Sequence, residues 1–220
     1  QAVYGQTAEQ ASSSIQTGFK AIEVMGRTGP EEARRTFDLI SKVSASSGGR
    51  ITGEDFLQFA RKGGPNAKNL SDKGLINMST LFAEMGASQV GTALTSLLQN
   101  LNGGALAQRK MQRWDELGML DQSKITRNKT TGVVNRMAPG ALIDAELLQT
   151  DPLAFAEKIR ANVERITGKK FEYDQQGNMT EESAKRMDLE LKGMLGNRTS
   201  ERALNNLLTQ RGSILKESLL

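Results

Sequence analysis

Neither cysteine nor histidine occurs anywhere in the 220 residues. Without cysteine there are no disulfides, no thiolate zinc sites and no thiol nucleophile. Without histidine there is no Ser-His-Asp triad, no imidazole metal ligand and no imidazole proton shuttle. Aromatic residues are scarce at 5%, with one tryptophan and two tyrosines, so a core has to be built from Leu, Ile, Val, Met and Ala. Helices packed on helices tolerate that composition better than a β-sandwich, which leans on β-branched and aromatic side chains. No apolar run approaches the ~20 residues of a membrane-spanning helix, and no signal-peptide pattern is present. Neither sign of charge dominates: 29 basic residues stand against 25 acidic ones, a net of +4, which reads as a mixed, solvated surface. Carboxylate pairs, lysine and serine are what remain for chemistry.

Helix punctuation, by contrast, is plentiful. Residues 7 to 25 place Ile15, Phe19 and Ile22 on one helical face, closed by Gly26 and Gly29. Pro30 with Glu31 and Glu32 opens a second helix carrying Phe37, Ile40 and Val43, and SASSGGR, 44 to 50, breaks it. Thr52 with Asp55 caps a short helix that turns Phe56, Phe59 and Ala60 inward and stops at Gly63 and Gly64. Ser71 caps another, running to about Met85 and closed by Gly86. Leu94, Leu97, Leu98 and Leu101 stripe a helix over 88 to 101, stopped by Gly103 and Gly104. Met111, Trp114 and Leu117 mark one over 106 to 117.

The run SKITRNKTTGVVNRMAPG, 123 to 140, reads as a β-hairpin around NKTTG, and ALIDAELLQT as a short helix. Asp151 and Pro152 start a helix with Ala156, Ile159, Val163 and Ile166 at spacings of three and four. FEYDQQGNMT is a second hairpin or turn, and two helices over about 181 to 195 and 200 to 218 finish the chain. The fold class expected is mainly α: a multi-helix globular domain of short helices with one or two small β-hairpins. It is read as one helical domain over 1 to 220, with a candidate subdomain break near 103 to 140. Because the sequence opens on Gln1, it is read as cut from a longer chain.

Few motifs survive inspection. ARKGGPNAKNLSDKG, 60 to 74, has glycines and lysines, but a phosphate-binding P-loop needs GxxxxGK and Ser or Thr at a strand-to-helix junction. Gly63 and Gly64 suit a helix C-cap instead. DQQGNM, 174 to 179, has its glycine at the fourth place of a would-be calcium loop and Lys185 at the twelfth, so the match fails. Glu217 and Ser218 have the look of the Glu-Ser pair of lytic transglycosylases, but no glycine-rich substrate segment follows. No catalytic residue, cofactor site or metal site is assigned. Met25, Met85, Met111, Met187 and Met194 sit at apolar helix positions and read as core fillers. The one candidate interaction set is basic: Arg109, Lys110, Arg113, Lys124, Arg127 and Arg136, with Lys129, could meet DNA phosphates while Trp114 stacked on a base. A solvated face is the alternative.

Several phrases, taken in order, resemble a known family. ITGEDFLQFARKGGPNAKNLSDKGL leads to GTALTSLLQNLNGG, then ELGMLDQSKI, then RMAPGAL, then ELLQTDPLAFAEKI. This succession, over about residues 50 to 160, resembles a region of the tail tape measure proteins of long-tailed phages and prophages. The resemblance implies a non-enzymatic, helical structural part of the virion tail, assembled in the bacterial host cytoplasm. Such proteins take part in tail length determination and in DNA ejection. Implied partners are the tail assembly chaperone, the tail tube and the tail-tip proteins, with self-association in the parent protein and contact with DNA. No active-site residues are implied. Glycines and short helices depart from the family's long-rod picture and point to a compact module. Two other readings stand beside it: a peptidoglycan-degrading module using a carboxylate such as Glu217, and a DNA-contacting helical module.

Overall fold

Polar caps, prolines and glycines set many of the helix bounds. The computed structural model describes residues 8–102 and 106–218, and the chain is mainly α-helical with one small antiparallel sheet. The stop proposed at Gly103 and Gly104 falls outside the described residues. Two compact units are present, Gln1–Thr95 with Ile214–Leu220, and Ser96–Ser213, so residues 103 to 140 lie within the second.

The first unit holds α1 (Ala8–Val24), α2 (Pro30–Ser46), α3 (Gly53–Gly63), α4 (Pro65–Asn69), α5 (Asp72–Ser79), α6 (Phe82–Met85) and the start of α7 (Ala87–Asn102). The carboxylate of Asp55 accepts hydrogen bonds from the Thr52 N–H (2.8 Å) and hydroxyl (2.9 Å), which fixes the start of α3. Phe56, Phe59, Leu75, Met78 and Leu94 are fully buried around it. The rings of Phe56 and Phe82 meet edge to face at 5.3 Å.

Backbone crosses backbone at both ends of α3. A Cβ on Gly53 would stand 2.3 Å from the Ser14 carbonyl oxygen and 2.7 Å from the Gly18 nitrogen of α1. A Cβ on Gly91 of α7 would stand 2.6 Å from the Phe59 carbonyl oxygen. This crossing overturns part of the expected face of α1: Ile22 is buried as expected, but Ile15 and Phe19 are not. Gly18, Ala21, Ile22 and Met25 are buried, while Ile15 and Phe19 are 48% and 55% exposed. Gly18, with no side chain, lets α1 approach Gly53 of α3 closely at the crossing. Phe19 instead stacks on the half-buried Phe37, with centroids 4.5 Å apart.

Two further expectations are corrected here. The helix expected from Ser71 to about Met85 stops at Ser79 and restarts at Phe82. The hydroxyls of Ser79 and Thr80 donate back to the carbonyls of Ile76 (2.7 Å) and Asn77 (2.8 Å), which competes with the helical ladder. Conversely, α2 runs through the serines to Ser46 and ends where Gly48 and Gly49 take positive φ. Gly64 (φ +53) closes α3 and Pro65 opens α4 at once, so the lysine-flanked loop is a cap followed by a helix turn.

Arg27, 2% exposed, ties the first unit together. Its guanidinium donates to Asp72 Oδ1 (3.0 Å), the Thr36 hydroxyl (3.4 Å) and the Leu70 carbonyl. Arg27→Ala is expected to cost about 2 kcal/mol in urea unfolding, less than a fully buried pair because the Asp72 side chain is half exposed. A loss below about 0.5 kcal/mol would show that the tie contributes only packing.

The second unit contains the rest of α7, α8 (Gln108–Glu116), a 3₁₀ turn Gln122–Lys124, β1 (Ile125–Arg127), β2 (Val134–Met137), α9 (Ala145–Thr150), α10 (Pro152–Thr167), α11 (Glu181–Leu191) and α12 (Arg198–Thr209); α13 (Arg211–Ser218) begins in it. The hairpin lies where expected, pairing Ile125 with Met137 and Thr126 with Arg136, with a bulge before Arg127. Asn128 Oδ1 caps its turn by accepting from the N–H groups of Thr130 and Thr131. FEYDQQGNMT forms a single bridge, Tyr173 to Met179, around Gly177.

Helix α10 begins on the Asp151 cap and buries Ala156, Ile159 and Val163. Ile166, expected inward, is exposed near the helix end. The last expected helix, 200 to 218, breaks at Gln210. There the Thr209 carbonyl accepts from the Met179 N–H, and a Cβ on Gly212 would lie 2.1 Å from the Gln176 carbonyl oxygen, so the chain turns to seat Gly212 on that loop. The five methionines read as core fillers are all buried. Among the described residues, no helix is long and apolar enough to cross a membrane.

Candidate functional site

The basic set proposed from the sequence clusters on α8 and the hairpin. Amphipathicity explains α8: Met111 and Trp114 turn inward, leaving Arg109, Lys110 and Arg113 on its outer side. The α8 side chain of Gln112 accepts from the Val134 N–H at 2.9 Å, which joins the helix to β2. Trp114 is fully buried, its indole N–H donates to the Met194 carbonyl at 3.0 Å, and its ring lies 6.2 Å from that of Phe155. Its faces are packed, so the stacking role proposed for it is not open.

Most of the cations already have partners. Lys110 Nζ donates to the Leu195 carbonyl, and Arg113 bridges Glu190 and, at 3.3 Å, Glu116. Lys124 Nζ donates to the Gly140 carbonyl at 3.1 Å. Arg127 is the most engaged, reaching Asp115 (2.9 Å), Gln122 Oε1 (2.6 Å) and the Gly132 carbonyl (3.1 Å). Nearby, Asp121 has its carboxyl pKa lowered, first by the Ser123 hydroxyl and then by the Ser123 N–H. The side chains of Arg109 and Arg136 are exposed and make no hydrogen bond or ion pair among the described residues; Lys129 is also exposed. The structure thus brings Arg109, Lys110 and Arg113 into one place and leaves Lys124, Arg127 and Arg136 along the hairpin.

That place is a cleft of about 830 Å³ between α8 and the C-terminal end of α11. Besides the three cations it is lined by Glu116, Leu189, Glu190 and Lys192. Lys192 and Leu189 carried no signal in the sequence, because they approach α8 only through the fold. LELKG, 189 to 193, reads locally as part of the helix expected over about 181 to 195, which stops at Leu191 instead.

A second polar cluster sits on α10. Arg160 lies between Glu157 (3.0 Å) and Glu164 (2.9 Å), and Glu164 also accepts from the Phe171 N–H at 2.8 Å. Arg211 Nε stands 2.8 Å from Glu157 Oε1, close enough for an ion pair though not aligned as a hydrogen bond. Burial works against the Arg160 charge, yet Glu157 and its neighbours outweigh it and raise its pKa. Burial also raises the Tyr173 phenol, opposed by Arg160, and its hydroxyl has no hydrogen-bond partner among the described residues. These carboxylates and guanidiniums face one another, so the arrangement fastens α10 to the segments at 171 and 211. The side chains of Glu217 and Ser218 lie outside the described set. Among the described residues, no group of three or more acidic side chains is placed to hold a metal ion.

No protein-family model matches the chain, and no curated protein or solved structure matches it significantly.

Proposed function

We propose that this chain is a structural module of a phage tail tape measure protein, serving tail assembly and DNA ejection rather than catalysis. The observation that carries the reading is the ordered series of phrases from ITGEDFLQFARKGG to ELLQTDPLAFAEKI, whose succession and spacing resemble that family over about residues 50 to 160. The helical architecture is compatible with it, and so is a basic set in which Lys110, Arg113, Lys124 and Arg127 are occupied by the protein's own carboxylates and carbonyls. The tail tube, the tail-tip proteins and an assembly chaperone are the partners this reading proposes.

The test is an in-frame deletion of these residues from a phage carrying the chain, with tail length measured by electron microscopy. As one continuous helix the segment would span roughly 330 Å, at 1.5 Å per residue. Folded compactly, its radius of gyration is only about 17 Å. Tails shortened by an amount near the first figure are the expected result for a segment that counts as ruler. Unchanged tails that fail to deliver DNA would assign the module to ejection. Unchanged tails on fully infective particles would sink the proposal.

A further inference from the structure

We propose that the cleft between α8 and the end of α11 is a docking site for an acidic, leucine-bearing peptide segment of a partner protein. The cleft stands apart from the tail reading and rests on the second unit alone. Arg109, Lys110, Arg113 and Lys192 face two carboxylates in its lining, Glu116 and Glu190, so the surface is left cationic. The two carboxylates are already drawn to Arg113. Arg109 and Lys192 are exposed, and among the described residues neither makes an ion pair. A concave site with an excess of one sign concentrates its field and favours ligands of the other.

Leu189 adds an apolar feature to the cleft. At 69% it is the most exposed of the large apolar side chains among the described residues, and it lines this same cleft. A phosphate backbone offers an exposed leucine no apolar partner, whereas a peptide can carry both carboxylates and an apolar side chain. An acidic peptide fits both features: its carboxylates meet Arg109 and Lys192, and its apolar residue covers Leu189. The Arg113–Glu190 and Lys110–Leu195 contacts hold the cleft walls in place beforehand, so binding requires little rearrangement.

The experiment uses the full chain and a fluorescein-labelled peptide of Glu-Glu-Leu-Leu repeats, read by fluorescence anisotropy at two salt concentrations. The parent protein is expected to bind, more weakly at high salt. Arg109→Glu combined with Lys192→Glu should weaken binding at least roughly tenfold. Leu189→Asp should weaken it several-fold, and Arg136→Glu, an exposed cation outside the cleft, should leave it unchanged. All four positions are exposed, and unchanged circular dichroism melts are expected to show that the fold survives. The proposal is overturned if the peptide fails to bind. Equal binding by the double variant, or as large an effect from Arg136→Glu, would also overturn it. So would a labelled DNA duplex that binds more tightly through the same two residues, since that would make the cleft a phosphate site.

Discussion

Replacing Trp114 by alanine is expected to remove about 4 kcal/mol of stability, the largest single loss in the second unit. The indole is fully buried, packs against Phe155 and donates to the Met194 carbonyl at 3.0 Å. Truncation to alanine deletes that contact area and leaves a cavity that the neighbouring helices close only in part. It also strips the Met194 carbonyl of its donor. Trp114→Phe separates the two effects: the ring is largely retained while the hydrogen bond is lost, and the expected cost is about 1–3 kcal/mol. Urea unfolding followed by circular dichroism reads both variants, because the protein has no other tryptophan to report by fluorescence. A loss below about 1.5 kcal/mol for the alanine variant would mean that the site collapses, and that this ring does not organise the packing of α8 and α10.

The second large effect belongs to the smallest side-chain change. Gly53→Ala is expected to cost about 3 kcal/mol, at the upper end of what overpacking usually exacts. Alanine is the better helix former by up to ~1 kcal/mol, so intrinsic propensity alone would make the variant more stable. The added methyl, however, would sit 2.3 Å from the Ser14 carbonyl oxygen and 2.7 Å from the Gly18 nitrogen. Both obstacles are backbone, which cannot rotate aside as a side chain can. Either α1 lifts away from α3 or α3 shifts against its other neighbours, and each route loses buried contact. Gly48→Ala provides the comparison: nothing lies within 4 Å of the new Cβ, and only the strain of φ +64 opposes it, for a cost of about 1 kcal/mol. Thermal melts that rank Gly53→Ala no worse than Gly48→Ala would refute the crossing as the decisive contact.

Local signals in the sequence carry most of the helix boundaries. Thr52 with Asp55, Ser71, Asp151 with Pro152, and the glycines at 64, 86 and 118 each act within a few residues of where they stand, and each does what its chemistry suggests. The leucine stripe of α7 is equally plain, since Leu94, Leu97, Leu98 and Leu101 are all buried. Illegible features depend on a partner distant in sequence. Hydrophobicity placed Ile15 and Phe19 inward, but the approach to Gly53 favours the face of α1 that carries Gly18 and Ala21. The turn at Gln210 follows from Gly212 seating on a loop at Gln176, which no window around 210 contains. The candidate site divides the same way. Arg109, Lys110 and Arg113 stand out as a basic helix face, whereas Leu189, Glu190 and Lys192 join them only once α11 is packed. Charge clusters in a sequence say nothing of how far a protein's own carbonyls occupy them, as Lys110 and Lys124 show.

The caps have a bearing on how the chain returns to its fold after being drawn out. The helices α5, α10, α11 and α12 each begin on a side chain of their own segment: Ser71 to the Gly74 N–H, Asp151 to Ala154, Thr180 to Ser183 and Asn197 to Ser200. A start signal of that kind needs no distant residue to be in place. It offsets part of the nucleation cost that makes short isolated helices marginal. On refolding, then, helix formation is expected to begin at these four caps at once, and the backbone crossings at Gly53, Gly91 and Gly212, which seat segments far apart in sequence, are expected to close last. The molecule is thereby quick to regain its secondary structure and slower to lock it, a separation of timescales written into where its polar caps and its glycines fall.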